Sequence, residues 1–257
     1  MEQIKFINTL MNLFKNIFFN KSSNPIDLSV LGTDMHSHLI PGIDDGAQTI
    51  EESIELIREL NELGYKKLII TPHVQGEFFI STPEIILIGL EEIRAALKNE
   101  EIQIKIDAAA EYLIDDKFEE KLKSKNLLTF GENYILIELS FFSPHPNLLS
   151  YIFDLQIAGY KVILAHPERY SYWFDNFKKF EDLKDRGVFF QINIISLGGY
   201  YPFPVKKIAE KLIDNNMIEF LGTDMHNQNY MQGLKQALNE KYLDKIISSG
   251  KLLNDQL

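Results

Sequence analysis

From residue 33 onward, the chain alternates between two hydrophobic patterns. Short, nearly continuous apolar runs such as 134–139 and 161–165 predict strands that are covered on both faces. Between these runs, apolar residues recur at spacings of three and four, as in Ile54, Ile57 and Leu60, which predicts amphipathic helices. The predicted strands reach Met35 and cover 67–71, 104–111, 134–139, 161–165, 188–194 and 218–222; the predicted helices cover 50–63, 83–98, 115–124, 147–158, 176–186, 204–215 and a segment from about residue 231.

These segments make seven successive pairs of strand and helix. Regular alternation of this kind implies a parallel sheet with right-handed crossovers. We therefore predict an α/β fold, a closed or nearly closed barrel of about seven strands; an open, doubly wound sheet is the alternative. In either architecture the loops that follow the strands hold the functional residues.

Histidines and acids gather at the carboxyl ends of the predicted strands, and five of the six histidines are among them. The set comprises His36 and His38 after the first strand, Asp45 in the following loop, His73 after the second strand, Glu111 and Glu138 at the ends of the third and fourth, His166 after the fifth, and Asp224 and His226 after the seventh. Only His145 lies outside it. Side chains from equivalent strand ends meet on one rim of a barrel, so we expect one shared site.

The chemistry of this set indicates metal ions. Alternate residues of an extended chain point to one face, so His36 and His38 can share an ion. Imidazoles combined with carboxylates suit Mn, Fe, Co or Zn. Glu111 and Glu138 lie in apolar strands, where a carboxylate is costly to bury unless it is paired or metal-bound. About nine ligand groups, at four to six per ion, fit two or three ions.

Composition excludes some functions. A net charge of −11 disfavours nucleic acid as a partner, since binding to phosphate backbones needs a basic face. The absence of cysteine excludes disulfides, thiolate metal sites and a cysteine-nucleophile phosphatase. We also expect a cytoplasmic protein.

The first residues predict an amphipathic helix over 4–19, too interrupted by Lys5, Asn8 and Lys15 to span a membrane. We expect it to pack on the domain or on a partner subunit of a homo-oligomer; peripheral contact with a membrane surface is the alternative. The predicted organisation is an extension over 1–32, a catalytic domain over 33–250 and a tail over 251–257.

The motifs DMHSHLIPGIDDG, TPH, AAEYLI, ILIELSF, ILAHPERY and GTDMHN, in this order, resemble the polymerase-and-histidinol-phosphatase (PHP) superfamily. They are most similar to its manganese-dependent bacterial tyrosine-protein phosphatases of capsule and exopolysaccharide operons. The resemblance covers roughly residues 33–250. It implies a distorted seven-stranded barrel with three metal ions, manganese above all, and nine ligands: His36, His38, Asp45, His73, Glu111, Glu138, His166, Asp224 and His226. We divide them as His36, His38 and Asp224 at one ion, His166 with both glutamates at the next, and Asp45, His73 and His226 at the third.

The resemblance also implies the reaction, hydrolysis of a phosphotyrosyl protein, with a tyrosine kinase of polysaccharide synthesis or export as the expected substrate. Arg169 is the expected phosphate clamp, because a guanidinium can hold two phosphoryl oxygens. Asp45 and His73 join it as catalytic residues, and Tyr170 is an expected substrate contact. No general acid is assigned.

One departure from the family concerns the residues after His73. Some members have two arginines there, whereas this chain has Val74 and Gln75. The alternatives are therefore a small-molecule phosphatase, acting on histidinol phosphate or a sugar phosphate, and a metal-bound regulatory protein with little turnover.

Overall fold

The computed structural model describes residues 25–76, 78–79 and 81–257, so the predicted helix over 4–19 lies outside the described residues. Strands and helices alternate as predicted. The strands are β1 (Thr33–Asp34), β2 (Lys67–Ile70), β3 (His73–Val74), β4 (Lys105–Ala108), β5 (Glu111–Leu113), β6 (Tyr134–Glu138), β7 (Lys161–Ala165), β8 (Phe189–Asn193) and β9 (Phe220–Gly222). The α-helices are α1 (Ile50–Glu62), α2 (Pro83–Asn99), α3 (Phe118–Ser124), α4 (Leu148–Ile157), α5 (Lys178–Asp185), α6 (Ile194–Leu197), α7 (Phe203–Asp214), α8 (Gln228–Ala237) and α9 (Lys241–Ser248). Four short 3-10 turns cover Leu28–Val30, Pro167–Arg169, Ser171–Trp173 and Asn254–Gln256.

All neighbouring strands are parallel, and they form two sheets. One has the order β1-β2-β4 and the other the order β3-β5-β6-β7-β8-β9. The order follows the chain without reversal, so the open doubly wound alternative, which needs a reversal, is not observed. The fold is α/β with a curled parallel sheet.

The predicted count of seven strands is not confirmed, because the described residues hold nine strand segments. Thr71 and Pro72 separate β2 from β3, and the proline has no N–H to donate to a neighbouring strand. The predicted strand over 104–111 is likewise interrupted at residues 109 and 110, between β4 and β5. Hydrogen bonds from Ala109 N–H to Ile70 O and from Glu111 N–H to Pro72 O continue across both interruptions, so each pair of segments follows one path.

Contacts between the first and last strands curl the sheet. Ser37 forms a parallel bridge with Met225. The Asp224 N–H donates to His36 O at 2.8 Å, and the His38 N–H donates to Met225 O at 2.9 Å. These bonds bring the residues after β1 and β9 side by side, which places two predicted site segments in contact.

Two buried clusters explain the apolar strands. In β6 and β7, Ile135, Ile137 and Leu164 face the cluster that packs against the helices. Leu136 and Ile163 alternate with them and face an inner cluster. The inner cluster consists of Met35, Ile69, Ala109, Phe130, Tyr134, Leu136, Ile163, Ala165 and Phe220. It fills the inside of the curl and leaves the carboxyl end of the sheet to polar residues.

Most predicted helices agree with the structure to within three residues at each end. Thr49 and Thr82 accept hydrogen bonds from backbone N–H groups at the starts of α1 and α2, as N-cap residues do. The last predicted helix is an exception: it begins earlier, at Gln228, and is two helices, α8 and α9. In the part of the chain that the structure describes, no helix is both long and apolar enough to cross a membrane.

Candidate metal centre

All nine predicted ligands meet at the carboxyl end of the curled sheet. Eight of them are buried, and Asp45 is the exception, with 59% of its side chain exposed. His166 and Asp224 follow β7 and β9 with φ angles of 32° and 51°. Such left-handed backbone is uncommon for residues other than glycine. Here it turns the chain at the strand end, where both side chains join the set.

His36, His38 and Asp224 form one compact group. The Nε2 atoms of the two histidines are 3.2 Å apart. Oδ1 of Asp224 lies 3.3 Å from Nε2 of His36 and 3.2 Å from Nε2 of His38. Two ring nitrogens and one carboxylate oxygen therefore converge on one point, and this trio is the same as the one predicted for the first ion.

Glu111 lies at the middle of the site. Its Oε2 is 3.3 Å from His36 Nε2 and 3.0 Å from His73 Nδ1, while its Oε1 is 3.0 Å from His166 Nε2. Glu138 is farther out, at 3.6 Å from both His73 Nδ1 and His166 Nε2. His166 contacts both glutamates, but the ligand atoms within 4.8 Å of one another form two groups here, one of His36, Glu111 and His166 and one of His73, Glu111 and Glu138, so the predicted trio is divided between them.

A third group lies at the mouth of the site. Oδ1 of Asp45 is 3.5 Å from His73 Nε2 and 3.4 Å from His226 Nε2. His38 also belongs to this group, within 4.8 Å. The structure thus brings together the predicted trio of Asp45, His73 and His226 and shows that His38 lies between the first group and the third.

The charges in the site depend on one another. Burial raises the pKa of Glu138 to about 8, and the charge of Glu111 adds to the effect. Burial alone would lower the pKa of His36, but Glu111 and Asp224 raise it to about 9. Burial and the nearby Arg169 lower the pKa of His166 to about 4. Without added cations, protons on His36 and Glu138 therefore offset part of the buried negative charge, and His166 stays neutral.

This arrangement fits divalent cations. Glu111 Oε2 and His166 Nδ1 are buried without a partner of hydrogen-bond geometry among the described residues. Imidazole nitrogens and carboxylate oxygens are the ligands that transition metals such as Mn and Zn prefer. A cation held between the histidines and the acids would replace the shared protons and give Glu111 Oε2 a partner.

Asp44, which sequence reasoning missed, supports the site from behind. Its Oδ2 accepts hydrogen bonds from His38 Nδ1 at 2.8 Å and from the His73 N–H at 3.0 Å, and its Oδ1 accepts from the Gly46 N–H at 2.9 Å. Burial disfavours its charge, but His38 and these donors hold the pKa of Asp44 well below its usual range. The bond to Nδ1 leaves Nε2 of His38 as the nitrogen that faces the site.

The sequence contains one signal for this arrangement, the glycine of the DDG motif. A Cβ atom at Gly46 would lie 2.1 Å from the His38 carbonyl oxygen, so the loop passes too close for any side chain. A glycine directly after two acids therefore indicates a tight loop that folds an acid back onto the preceding histidines.

Arg169 lies beside the first group. Its Nη1 is 3.2 Å from Asp224 Oδ2, and its guanidinium lies over the rings of Phe141 and Tyr201, at 4.5 and 4.7 Å from their centroids. About a fifth of its side chain is exposed (21%). Asp224 and the two rings restrain the guanidinium. Its exposed part can therefore bind a ligand with little further loss of side-chain freedom.

Tyr170 and His145 lie outside the cluster. Tyr170 has no exposed surface; its hydroxyl donates to Ala165 O at 3.0 Å and accepts from the Leu139 N–H at 2.9 Å. The structure therefore gives Tyr170 a packing role and no surface that a substrate could reach. His145 pairs with Asp116 at 3.0 Å, which agrees with its exclusion from the predicted site.

A curled parallel sheet with histidines and acids gathered at its carboxyl end defines a metal-dependent hydrolase of the α/β class. Residues 32–249 match the family described as capsular polysaccharide synthesis, CpsB/CapC. The chain belongs to this family.

Its relatives are named as enzymes. It is 30% identical over 195 residues to the tyrosine-protein phosphatase YwqE of Bacillus subtilis, covering 76% of this chain and 77% of YwqE. It is 28% identical over 243 residues to the tyrosine-protein phosphatase CpsB of Streptococcus pneumoniae, covering 87% and 99%. The family resemblance predicted from the sequence motifs is thus confirmed.

Solved structures of other proteins are similar to this chain. A crystal structure from a study of YwqE and CpsB, described as metal-dependent tyrosine phosphatases, matches with a TM-score of 0.72 and 28% identity, over 82% of this chain and 89% of that one. An amidohydrolase from Mycoplasma synoviae matches with a TM-score of 0.51 at 15% identity, over 90% and 87%, which shows a shared fold only.

We predict that Asp44→Asn weakens metal binding by about 10- to 100-fold, the usual effect of losing a group that orients a ligand. All three contacts of Asp44 are donors, so an amide nitrogen at either oxygen position faces a donor. Competition with a chelator measures the affinity. The control is Asp116→Asn, since the Asp116 side chain is 98% exposed and outside the site. Equal affinities for the two variants would contradict the role of Asp44.

Proposed function

We propose that this chain is a metal-dependent protein-tyrosine phosphatase that hydrolyses phosphotyrosine on a protein, a tyrosine kinase of capsular or exopolysaccharide synthesis or export. The observation that carries the proposal is the position of Arg169, which Asp224 and two aromatic rings hold at the edge of the nine-residue cluster. A cation cluster with a guanidinium at its edge suits a phosphomonoester. The named activity of the relatives supports the same choice.

The residues that would hold the ions are the nine predicted ligands, and we propose three ions per chain. The contacts support more than one ion, because four overlapping groups of three or four ligand atoms, each within 4.8 Å, share His36, His38, His73 and Glu111. The number three follows from the resemblance to the phosphatase family. Manganese is the proposed metal, and iron, cobalt and zinc have the same ligand preferences. When bound, such ions activate water as a nucleophile near neutral pH and neutralise charge on phosphoryl oxygens.

The chain's own residues then bind and orient the substrate. Arg169 donates to phosphoryl oxygens, and its contacts with Asp224, Phe141 and Tyr201 keep the guanidinium in place. Asp45 is the most exposed of the proposed ligands, and with His73 it borders the open side of the site, where the phosphoryl group enters. A phenolate is a comparatively good leaving group, so an aryl phosphate needs less proton donation than an alkyl phosphate.

Aromatic side chains at the rim favour a phosphotyrosyl ring over a compact sugar. The Phe79 ring stacks on His73 at 5.7 Å, and the Phe141 ring stacks on His166 at 5.8 Å. Phe141 is 41% exposed. We therefore transfer the proposed ring contact from the buried Tyr170 to Phe79 and Phe141.

We further propose a distorted barrel of seven strand positions, in which β2 with β3 and β4 with β5 each count as one. Hydrogen bonds across both interruptions, and the bridge between Ser37 and Met225, support this arrangement.

Residues 1–32 are the proposed extension, 33–250 the catalytic domain and 251–257 the tail. A kinase substrate implies a cytoplasmic reaction. Contact of residues 4–19 with a membrane surface or another copy of the chain stays a prediction.

A small-molecule phosphatase is the second candidate, and one observation favours it. The positions after His73, where some family members have arginines, hold Val74 and Gln75. The Gln75 side chain is turned inward, with Nε2 at 3.2 Å from Glu138 Oε2. A second cationic contact for a phosphoprotein is therefore missing at this place.

We expect chelation to abolish phosphatase activity and manganese to restore it, because the proposed nucleophile depends on bound ions. After reloading, kcat/KM on a phosphotyrosyl peptide should exceed that on histidinol phosphate or a sugar phosphate by at least about tenfold, the effect of about 1.4 kcal/mol in transition-state binding. The inverse preference would favour the second candidate. Turnover of neither substrate by the metal-loaded protein would favour a regulatory protein.

Arg169→Lys is expected to lower kcat by about 10²- to 10³-fold, as the loss of one preorganised donor to a transition state does. Lysine keeps the charge but cannot make the paired contact of a guanidinium. Metal content should stay unchanged. The matched control is Arg58→Lys, at an exposed pair with Glu100, which should keep full activity. Full activity of Arg169→Lys would exclude the clamp.

A further inference from the structure

Two buried amides connect two of the proposed ligands. Gln191 and Asn193 lie two residues apart on β8, so their side chains share one face of the strand. His36 Nδ1 is 2.8 Å from Gln191 Oε1, Gln191 Nε2 is 2.9 Å from Asn193 Oδ1, and Asn193 Nδ2 is 2.7 Å from Asp224 Oδ2. Neither amide has any exposed surface. The four side chains make one continuous hydrogen-bonded chain from ligand to ligand.

The hydrogen bonds between these four side chains can have only one donor-to-acceptor direction. A guanidinium can only donate, and Nη1 of Arg169 lies 3.2 Å from Asp224 Oδ2, so this carboxylate oxygen is an acceptor. Asn193 must then present its NH2 group to Asp224 and its oxygen to Gln191. Gln191 in turn donates to Asn193 and presents its oxygen to His36. The hydrogen-bond network thereby orients both amides.

The hydrogen bond between Gln191 and His36 determines which nitrogen of His36 carries hydrogen. Gln191 Oε1 only accepts, so His36 Nδ1 must be the donor. In the neutral ring Nε2 then has the free lone pair, and Nε2 is the nitrogen that lies 3.3 Å from both Asp224 Oδ1 and Glu111 Oε2. At the other end, Asp224 Oδ2 accepts from both Asn193 and Arg169, which leaves Oδ1 facing the histidines.

We propose that Gln191 and Asn193 are positioning residues for the metal centre: they hold His36 in the tautomer with a free Nε2 and turn Oδ1 of Asp224 toward the same ion. The inference rests on the proposed role of His36 and Asp224 as ligands and is independent of the substrate. It assigns a function to two residues that do not bind metal themselves.

The surroundings hold the amides in place. The Asn193 N–H donates to Glu168 Oε1 at 2.9 Å, and the Ser196 hydroxyl donates to the same oxygen at 2.7 Å. On β9, a Cβ atom at Gly222 would lie 2.7 Å from Gln191 Nε2 and 2.8 Å from His36 Cβ. The glycine therefore permits the close approach of β9, and the amide of Gln191 has little room to turn.

The test compares two substitutions at Gln191 by zinc affinity, measured through competition with a chelator. Gln191→Leu removes both hydrogen bonds and should weaken binding by about 10- to 100-fold. Gln191→Glu keeps an acceptor for His36 Nδ1 but loses the donor to Asn193, so its affinity should lie between those of the wild type and Gln191→Leu. The structural control is Asn254→Leu, which removes a buried amide that bonds to Thr33 O and Leu221 O, on the same strands as the site. It should lower Tm and leave zinc affinity unchanged.

Nitrogen-15 NMR of the zinc-loaded protein gives a direct readout. We expect the His36 Nδ1 signal of a protonated nitrogen, with a slowly exchanging proton in the wild type and a rapidly exchanging one in Gln191→Leu. The proposal would be overturned if Gln191→Leu bound zinc as tightly as the wild type, or if Gln191→Glu bound zinc no more tightly than Gln191→Leu. It would also be overturned if Asn254→Leu lost as much zinc affinity as Gln191→Leu.

These readouts separate the inference from the proposed activity. Loss of zinc affinity in Gln191→Leu supports it even if the wild type hydrolyses no phosphotyrosine. A wild-type protein that binds no zinc would overturn the ligand assignment and this inference together.

Discussion

The structure depends on one electrostatic constraint: five imidazoles and five carboxylates lie together at the carboxyl end of one sheet, and nine of these ten side chains are buried. Buried carboxylates are costly unless they are paired with cations or hydrogen-bond donors. Without cations Glu138 meets this requirement only by keeping a proton, since burial and the charge of Glu111 raise its pKa to about 8. Cations between the two sets would satisfy it and would supply the chemistry of a phosphatase.

The curled sheet makes such a concentration possible. Parallel strands deliver their carboxyl ends to one rim, and the contacts between His36, Ser37, Asp224 and Met225 bring the first and last strands together there. The inner cluster around Phe220 and Ile163 fills the curl below the site. The inner cluster thus supports the carboxyl ends of the strands. The histidines and acids lie at these ends, outside the apolar core that they would destabilise.

Much of this could be predicted from the sequence. Hydrophobic periodicity reports burial, so β7 was predicted with its observed bounds and most helices within three residues. Strand ends then identified the nine clustered side chains. Periodicity does not report local breaks in backbone pairing, which is why the short strand β3 after Pro72 and the break at residues 109 and 110 were missed.

The supporting residues were harder to predict, for physical reasons. Asp44 and Asp45 are adjacent and chemically identical, and only the path of the loop at Gly46 decides which faces inward. Gln191 and Asn193 are neutral amides in an apolar strand, and their role depends on contacts with residues more than 30 positions away. Tyr170 was predicted to contact substrate and is instead buried in the core. The sequence does not distinguish these two roles for an aromatic residue beside Arg169.

Anomalous diffraction from crystals of the manganese-loaded protein tests the central claim, that nine side chains hold three ions. We predict three anomalous peaks. They should lie among His36, His38 and Asp224, among Glu111, Glu138 and His166, and among Asp45, His73 and His226. A single peak, or peaks away from these side chains, would contradict it.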